Sequence, residues 1–175
     1  MKQVKHPLLK RASVALLGMV LFSLVASSAG AGDAFFRGGM IFHPRDIGFE
    51  GRWRADFGID YPVNFAETLF LGFELQTSVY RADVLLATAT VVPANGFLNV
   101  KVKSSRLGIR PYGGGGMGLL SNFVFISGGT EWGKAFAYQL LGGIELGWLS
   151  LELQMQRALE SGAQTNLGAY AGFVW

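Results

Sequence analysis

Cysteine is absent from this 175-residue chain. That excludes a disulfide framework, thiol chemistry and a cysteine-bound metal, and it leaves an exported domain to be held by its own packing or by a membrane. Histidine is nearly missing: apart from His6, near the start, the chain has only His43. Beyond residue 31 no stretch reaches the roughly 18 apolar residues of a membrane-spanning helix. An excess of one charge is lacking too. The 15 Lys+Arg outnumber the 12 Asp+Glu, but Lys2, Lys5, Lys10 and Arg11 lie in the first segment, leaving 11 basic against 12 acidic residues. A domain so balanced gives no support for nucleic acid as a partner, which wants a clustered basic face.

What is present begins with that first segment. The basic residues precede an uncharged apolar run, Ser13 to Ala26, and then the small-x-small triplet Ala29-Gly30-Ala31. This is the pattern of a secretory signal peptide over 1–31, with cleavage before Gly32. Residues 32–175 then read as one domain. Glycine is abundant, at 25 residues, without a collagen period.

Alternation of apolar and polar residues recurs along the whole domain and predicts eight strands. They fall near 36–43, 49–61, 69–80, 97–104, 111–125, 135–147, 149–156 and a last strand ending at Trp175. The second is the clearest. Trp53, Ala55, Phe57, Ile59 and Tyr61 share one face, and Glu50, Arg52, Arg54, Asp56 and Asp60 share the other. Residues 81–96 form a long, unusually apolar connection ending in the turn signal Pro93-Ala94-Asn95-Gly96. A hairpin extension above a barrel is expected there. Ser127-Gly128-Gly129-Thr130 reads as another loop. Alternating short and long connections between an even number of antiparallel strands predict an all-β, eight-stranded up-and-down transmembrane barrel.

The same alternation would suit a soluble lipid carrier with its apolar face inside. Three features favour a membrane barrel. Bulky aromatics (Trp53, Tyr61, Phe136, Trp148, Trp175) sit near strand ends on the apolar face, as interfacial girdles do. The polar face is rich in glycine and poor in lysine. Its charges also balance: Arg37, Arg52, Arg54, Lys101 and Lys103 against Glu50, Asp56, Asp60, Glu74, Glu145 and Glu152. An eight-stranded lumen is just wide enough for side chains to fill, so these charges are expected to pair in a plugged interior.

The run Arg110-Pro111-Tyr112-Gly113-Gly114-Gly115-Gly116-Met117-Gly118 resembles the Pro-Tyr-x-Gly-x-Gly-x-Gly strand of the OmpA and OmpX type of eight-stranded outer-membrane barrel. The ending Phe173-Val174-Trp175 is similar to the signal read by the barrel-assembly machinery, with Trp175 where phenylalanine is usual. The resemblance spans essentially all of residues 32–175. It implies location in a bacterial outer membrane, contact with outer-membrane lipid and lipopolysaccharide, and assembly through Phe173 and Trp175.

Chemistry is thinly represented. Paired carboxylates such as Asp56 and Asp60 have arginines beside them, which suits salt bridges better than acid–base catalysis. His43, with Ser78 or Ser121, is the one combination open to a lipid A-modifying enzyme, but a catalytic pair needs contact and an orienting group. The Gly113–Gly116 run lacks the Gly-Lys-Ser/Thr ending of a phosphate loop. No cofactor and no metal cluster are implied. The expected role is therefore non-enzymatic, structural or surface-interacting, through loops such as 81–96. A narrow channel gated by the inner charges is the other alternative.

Overall fold

The computed structural model describes residues 32–42, 52–63, 66–84, 87–104, 108–126 and 129–175, with backbone alone over 82–84 and 87–88. His43 and Glu50, with the turn after residue 42, lie outside the described residues. The elements are β1 (Asp33–Phe42), β2 (Arg52–Pro62), β3 (Leu69–Thr77), β4 (Tyr80–Val84), β5 (Ala87–Lys103), β6 (Ile109–Ile126), β7 (Gly129–Leu146), β8 (Leu149–Ala158) and β9 (Thr165–Val174).

Every pairing is antiparallel; all but β3–β5 along the wall join neighbours in sequence, and β1 pairs with β9 to close the cylinder. Ala34 and Trp175 exchange backbone hydrogen bonds of 2.9 Å at that seam. Closure removes the free sheet edges around the barrel body. β3 and β4 both pair with β5 in one continuous register (Thr77 opposite Ala94, Tyr80 opposite Val91), so together they are one wall strand with a gap. The ring therefore has eight walls. The gap falls opposite Pro93, which has no N–H to give. Thr77 Oγ1 instead donates to the Pro93 carbonyl at 2.9 Å.

Two sequence expectations are corrected here. Pro93–Gly96 is not a turn; it lies inside β5, a 17-residue strand. Turn-type residues are tolerated because β3 ends before Pro93 needs a donor and because Asn95 Oδ1 accepts the Ser121 N–H from β6, at 3.3 Å. β4 and the first part of β5 pair with each other as the hairpin extension expected there, continuous with the barrel wall. Gly129 and Thr130 are likewise strand residues, and β6 and β7 each run for 18 residues.

Strand length makes the two ends of the barrel unequal. The terminal end, where β1 starts and β9 finishes, has the connections 63–68, 104–108 and 147–148. At the other, tall end, β4, β5, β6 and β7 continue past the 10-residue β8 and β9. A strand needs about 9–11 residues to cross a bilayer. β6 and β7 therefore rise about 25 Å along their length above such a band, at about 3.4 Å per residue.

The faces follow the alternation. Trp53 (72% exposed), Leu98, Val100, Met117, Leu140, Leu151 and Leu153 point outward. Arg37, Asp56, Glu74, Asn99, Lys101, Gln139 and Glu152 point inward and are buried. Phe57 and Ile59 depart from the simple pattern: they stand on Trp53's face of β2 yet are only 3% and 6% exposed. Phe57 stacks on Phe36 across the β1–β2 pair, with ring centroids 6.3 Å apart.

Candidate functional site

The lumen is filled by three tiers of polar side chains. At the terminal end, Lys103 Nζ reaches Glu145 at 2.8 Å, Asp60 at 3.0 Å and Asp33 at 3.1 Å. Lys101 Nζ lies 3.0 Å from Asp60, and Arg110 reaches Asp33 at 3.2 Å. Phe35, Phe70 and Tyr112 wall this tier, and the Lys101 and Lys103 ammonium groups stand 4.5 and 4.7 Å from the Phe35 and Phe70 ring centroids. Three cations face three carboxylates here, so the tier is neutral.

The middle tier is acidic. Oxygens of Asp56, Glu74 and Glu152 lie within 4.8 Å of one another. Arg37 is their only cation in contact among the described residues. It pairs with Glu152, lies 3.7 Å from Glu74 and donates to Tyr112 Oη at 3.1 Å. The Gln154 amide nitrogen sits among the three acids, 2.6 Å from Glu152, 2.8 Å from Glu74 and 3.2 Å from Asp56. An amide NH₂ has two hydrogens, and Asp56 Oδ1 is left without a hydrogen-bond partner. The strands assemble this triad from residues up to 96 positions apart, which alternation alone did not reveal. Arg37 and the Gln154 amide already occupy its centre.

Above it, four glutamines cross the lumen. Gln76 donates to Gln154 at 3.0 Å and approaches Gln139 at 3.3 Å, and Gln156 donates to Gln76 at 2.8 Å and Gln139 at 3.0 Å. This amide web, tied to the walls β3, β7 and β8, plugs the cylinder. Arg54 caps it, donating through Nη1 to Gln76 at 2.8 Å and Gln156 at 2.7 Å.

Glycine makes the packing possible at two positions. A Cβ on Gly143 would stand 2.6 Å from Tyr112 Oη, and one on Gly172 would stand 2.7 Å from the Arg37 side chain. Both are well inside van der Waals contact, so a side chain there would expel the group that holds Glu152.

Of the residues that the sequence placed inside, Arg37, Arg54, Asp56, Asp60, Glu74, Lys101, Lys103, Glu145 and Glu152 all reach the lumen, and Arg52 stands half-buried at its mouth. Asp33 and Arg110 join the terminal tier without having been read there. Asp33 precedes the strand start the alternation gave, and Arg110 fell in the turn before β6; extending each strand's phase would have found both. Ser78 lines the mouth, and Ser121 is buried in β6 with its N–H donated to Asn95 Oδ1.

The comparison with solved structures decides the fold. The Neisserial surface protein A structure superposes with a TM-score of 0.58 over 81% of this chain and 94% of its own, at 11% identity. The chain has the fold of the eight-stranded outer-membrane β-barrels. Two further barrels agree. The N-terminal β-barrel domain of Pseudomonas aeruginosa OprF gives 0.54 over 83% and 98% at 11% identity. Ail, the attachment invasion locus protein of Yersinia pestis, gives 0.52 over 83% and 99% at 9% identity. Ail has also been solved with the heparin analogue sucrose octasulfate. No protein-family model and no curated protein matches the chain. At such identities the barrel is shared and activity does not transfer.

Proposed function

We propose that this protein is a resident of a bacterial outer membrane, with the tall end on the outside, and that it acts without catalysis through the surface that end presents. The observation that carries the proposal is the raised wall of β4–β7. Its outward face stacks Phe123 on Trp132, centroids 6.2 Å apart, with Lys134 Nζ 5.3 Å from the Trp132 ring and Phe136 exposed below. Aromatics beside a cation suit the anionic headgroup zone of lipopolysaccharide. Residues 129–135 of β7 extend beyond β8 and have no strand neighbour on that side among the described residues. An open edge of that kind accepts an added strand from a protein partner.

The rest of the reading follows from the same picture. Residues 1–31 are proposed as a cleaved export signal. Phe173 on β9 and Trp175 just beyond it, both exposed, are proposed as the part read by the barrel-assembly machinery. The amide web and ion pairs support a closed lumen rather than a channel. The lipid A-modifying alternative would need His43, which lies outside the described residues, in contact with Ser78 or with Ser121.

Lysine chemistry tests the orientation. Beyond the first 31 residues the only lysines are Lys101, Lys103 and Lys134. The first two are buried in the lumen, and Lys134 is exposed on the raised wall. A membrane-impermeant amine reagent applied to intact cells should label the protein, and Lys134→Gln should abolish that labelling. The protein should fractionate with outer membranes and migrate differently on gels before and after boiling. Recovery in the soluble periplasm, or undiminished labelling of the variant on intact cells, would refute the proposal.

A further inference from the structure

The mouth of the lumen carries a second feature that the plug and the raised wall do not explain. Above the amide web lies a recess of about 130 Å³, ringed by Arg52, Arg54, Ser78, Asn95, Asn122 and Asn166. By the same measure a single water needs about 10–15 Å³, so the recess holds several waters or one tetrahedral oxyanion.

Charge is distributed unevenly along the barrel axis. The terminal tier is neutral. The middle tier sets Arg37 alone against the three acidic side chains Asp56, Glu74 and Glu152. The mouth holds Arg52 and Arg54, and neither has a carboxylate within ion-pair distance among the described residues.

Arg54 lines the recess and is 7% exposed; it spends Nη1 on Gln76 and Gln156, and its Nε has no hydrogen-bond partner among the described residues. A buried guanidinium N–H left unpaired carries a desolvation cost that an incoming acceptor would remove. Arg52 is pre-oriented by stacking, with its guanidinium carbon 4.0 Å from the Tyr80 ring centroid. Asn95 accepts the Ser121 N–H at its Oδ1, and its NH₂ is a further donor at the recess. Asn122, Asn166 and the Ser78 hydroxyl complete a donor-rich rim. Acidic side chains are absent from the lining among the described residues. Two guanidinium groups with neutral amide and hydroxyl donors form an arrangement suited to a phosphate or sulfate rather than to a cation.

We infer that the recess between Arg52, Arg54, Asn95 and Asn122 is a binding site for a phosphate or sulfate ester. The site is distinct from the outward face of β6–β7 and does not depend on which partner that face meets. The bearer of the group is membrane-borne or soluble, and the chemistry at the recess is the same for both.

The test uses the folded protein extracted from membranes into a phosphate-free glycoside detergent at low ionic strength. Calorimetric titration is carried out with glucose 6-phosphate, with glucose, and with micelles of phosphorylated or dephosphorylated lipopolysaccharide. At least one phosphorylated ligand should bind saturably at low millimolar concentration or below, and inorganic phosphate or sulfate should compete. Its unphosphorylated counterpart should not bind. Arg52→Gln should weaken binding at least tenfold, which corresponds to about 1.4 kcal/mol. Asn122→Ala should weaken it less, and Lys134→Gln should leave it unchanged. Arg52 is half-buried at the rim, so heat-shifted gel mobility of Arg52→Gln reports separately that the barrel is intact. Binding of the free sugar phosphate identifies a soluble bearer as sufficient. Binding of the phosphorylated lipopolysaccharide alone identifies a lipid-borne one. No saturable binding of either, or equal affinity in a folded Arg52→Gln variant, overturns the inference.

Discussion

Replacing Arg37 with methionine is expected to destabilise the folded barrel by about 3–5 kcal/mol, the cost of leaving buried charges without their partner. Arg37 is 1% exposed and is the contact cation for an acid cluster that contains Glu74 and Glu152, both fully enclosed. Methionine fills much of the same volume, so the loss isolates the charge rather than the packing. The companion variant Glu152→Gln removes one of the acids. It leaves Tyr112 Oη, 2.8 Å from Glu152 in the parent, an amide oxygen to donate to. Combining Arg37→Met with Glu152→Gln should recover part of the loss, because one of the acids left without a cation is removed. Equilibrium urea unfolding in vesicles, read as a double-mutant cycle, measures the coupling. Additive losses would mean that Arg37 acts by filling space alone.

The second large effect belongs to the exterior. Leu153 is 67% exposed at the middle of β8, paired with Gly142 and Ala169 on either side. In water an exposed leucine is an easy site for a charged substitution. In a bilayer, Leu153→Arg should cost about 2–4 kcal/mol, as arginine does at the midplane on the lipid face. Leu159, also exposed but just past β8 at the tall end, supplies the depth control. Leu159→Arg should cost about 0–1 kcal/mol there, near the interface. The contrast between two leucines of similar exposure, six positions apart, separates burial in lipid from any general dislike of the substitution. Equal small costs at both sites would place the barrel's outer face in water.

Much of this architecture is legible from residue order because strand alternation has a period of two and each strand carries its own record of it. Arg54 and Asp56 against Trp53 and Ala55 divide the faces of β2, and Ser150, Glu152, Gln154 and Gln156 against Leu149, Leu151 and Leu153 do the same for β8. Strand ends are less legible. Pro93-Ala94-Asn95-Gly96 has the composition of a turn, yet it lies in β5 because the register with β6 continues on both sides of it, from Pro93 opposite Asn122 to Gly96 opposite Leu119. Composition records what a residue tolerates; pairing with a neighbour decides what it does. The hairpin extension at 81–96 was legible, whereas the full length of β5, β6 and β7 was not, for that reason.

The lumen shows the same boundary. Which residues face inward follows from phase, strand by strand. Which of them meet depends on the stagger between strands. Arg37 meets Glu152 because β1, β9 and β8 align Arg37 with Gly172, and Gly172 with Ser150, one inward step from Glu152. No single strand contains that information. The axial separation of charge, acidic at mid-height and basic at the mouth, is likewise a product of stagger. So is the recess bounded by Arg52 and Arg54, whose lining comes from β1, β2, β3–β4, β5, β6 and β9.

The central claim is that apolar side chains outside the cylinder touch acyl chains while the charges neutralise one another inside it. The absence of cysteine makes a direct measurement straightforward. Single cysteines at Leu140, Leu153 and Val100, and at the inward positions Asn99 and Gln139, can each be labelled with a small fluorophore and the folded protein placed in vesicles containing lipids brominated along their acyl chains. The account predicts strong quenching at residues 140, 153 and 100 and little at 99 and 139. Strong quenching at 99 and 139 with none at 140 and 153 would contradict it.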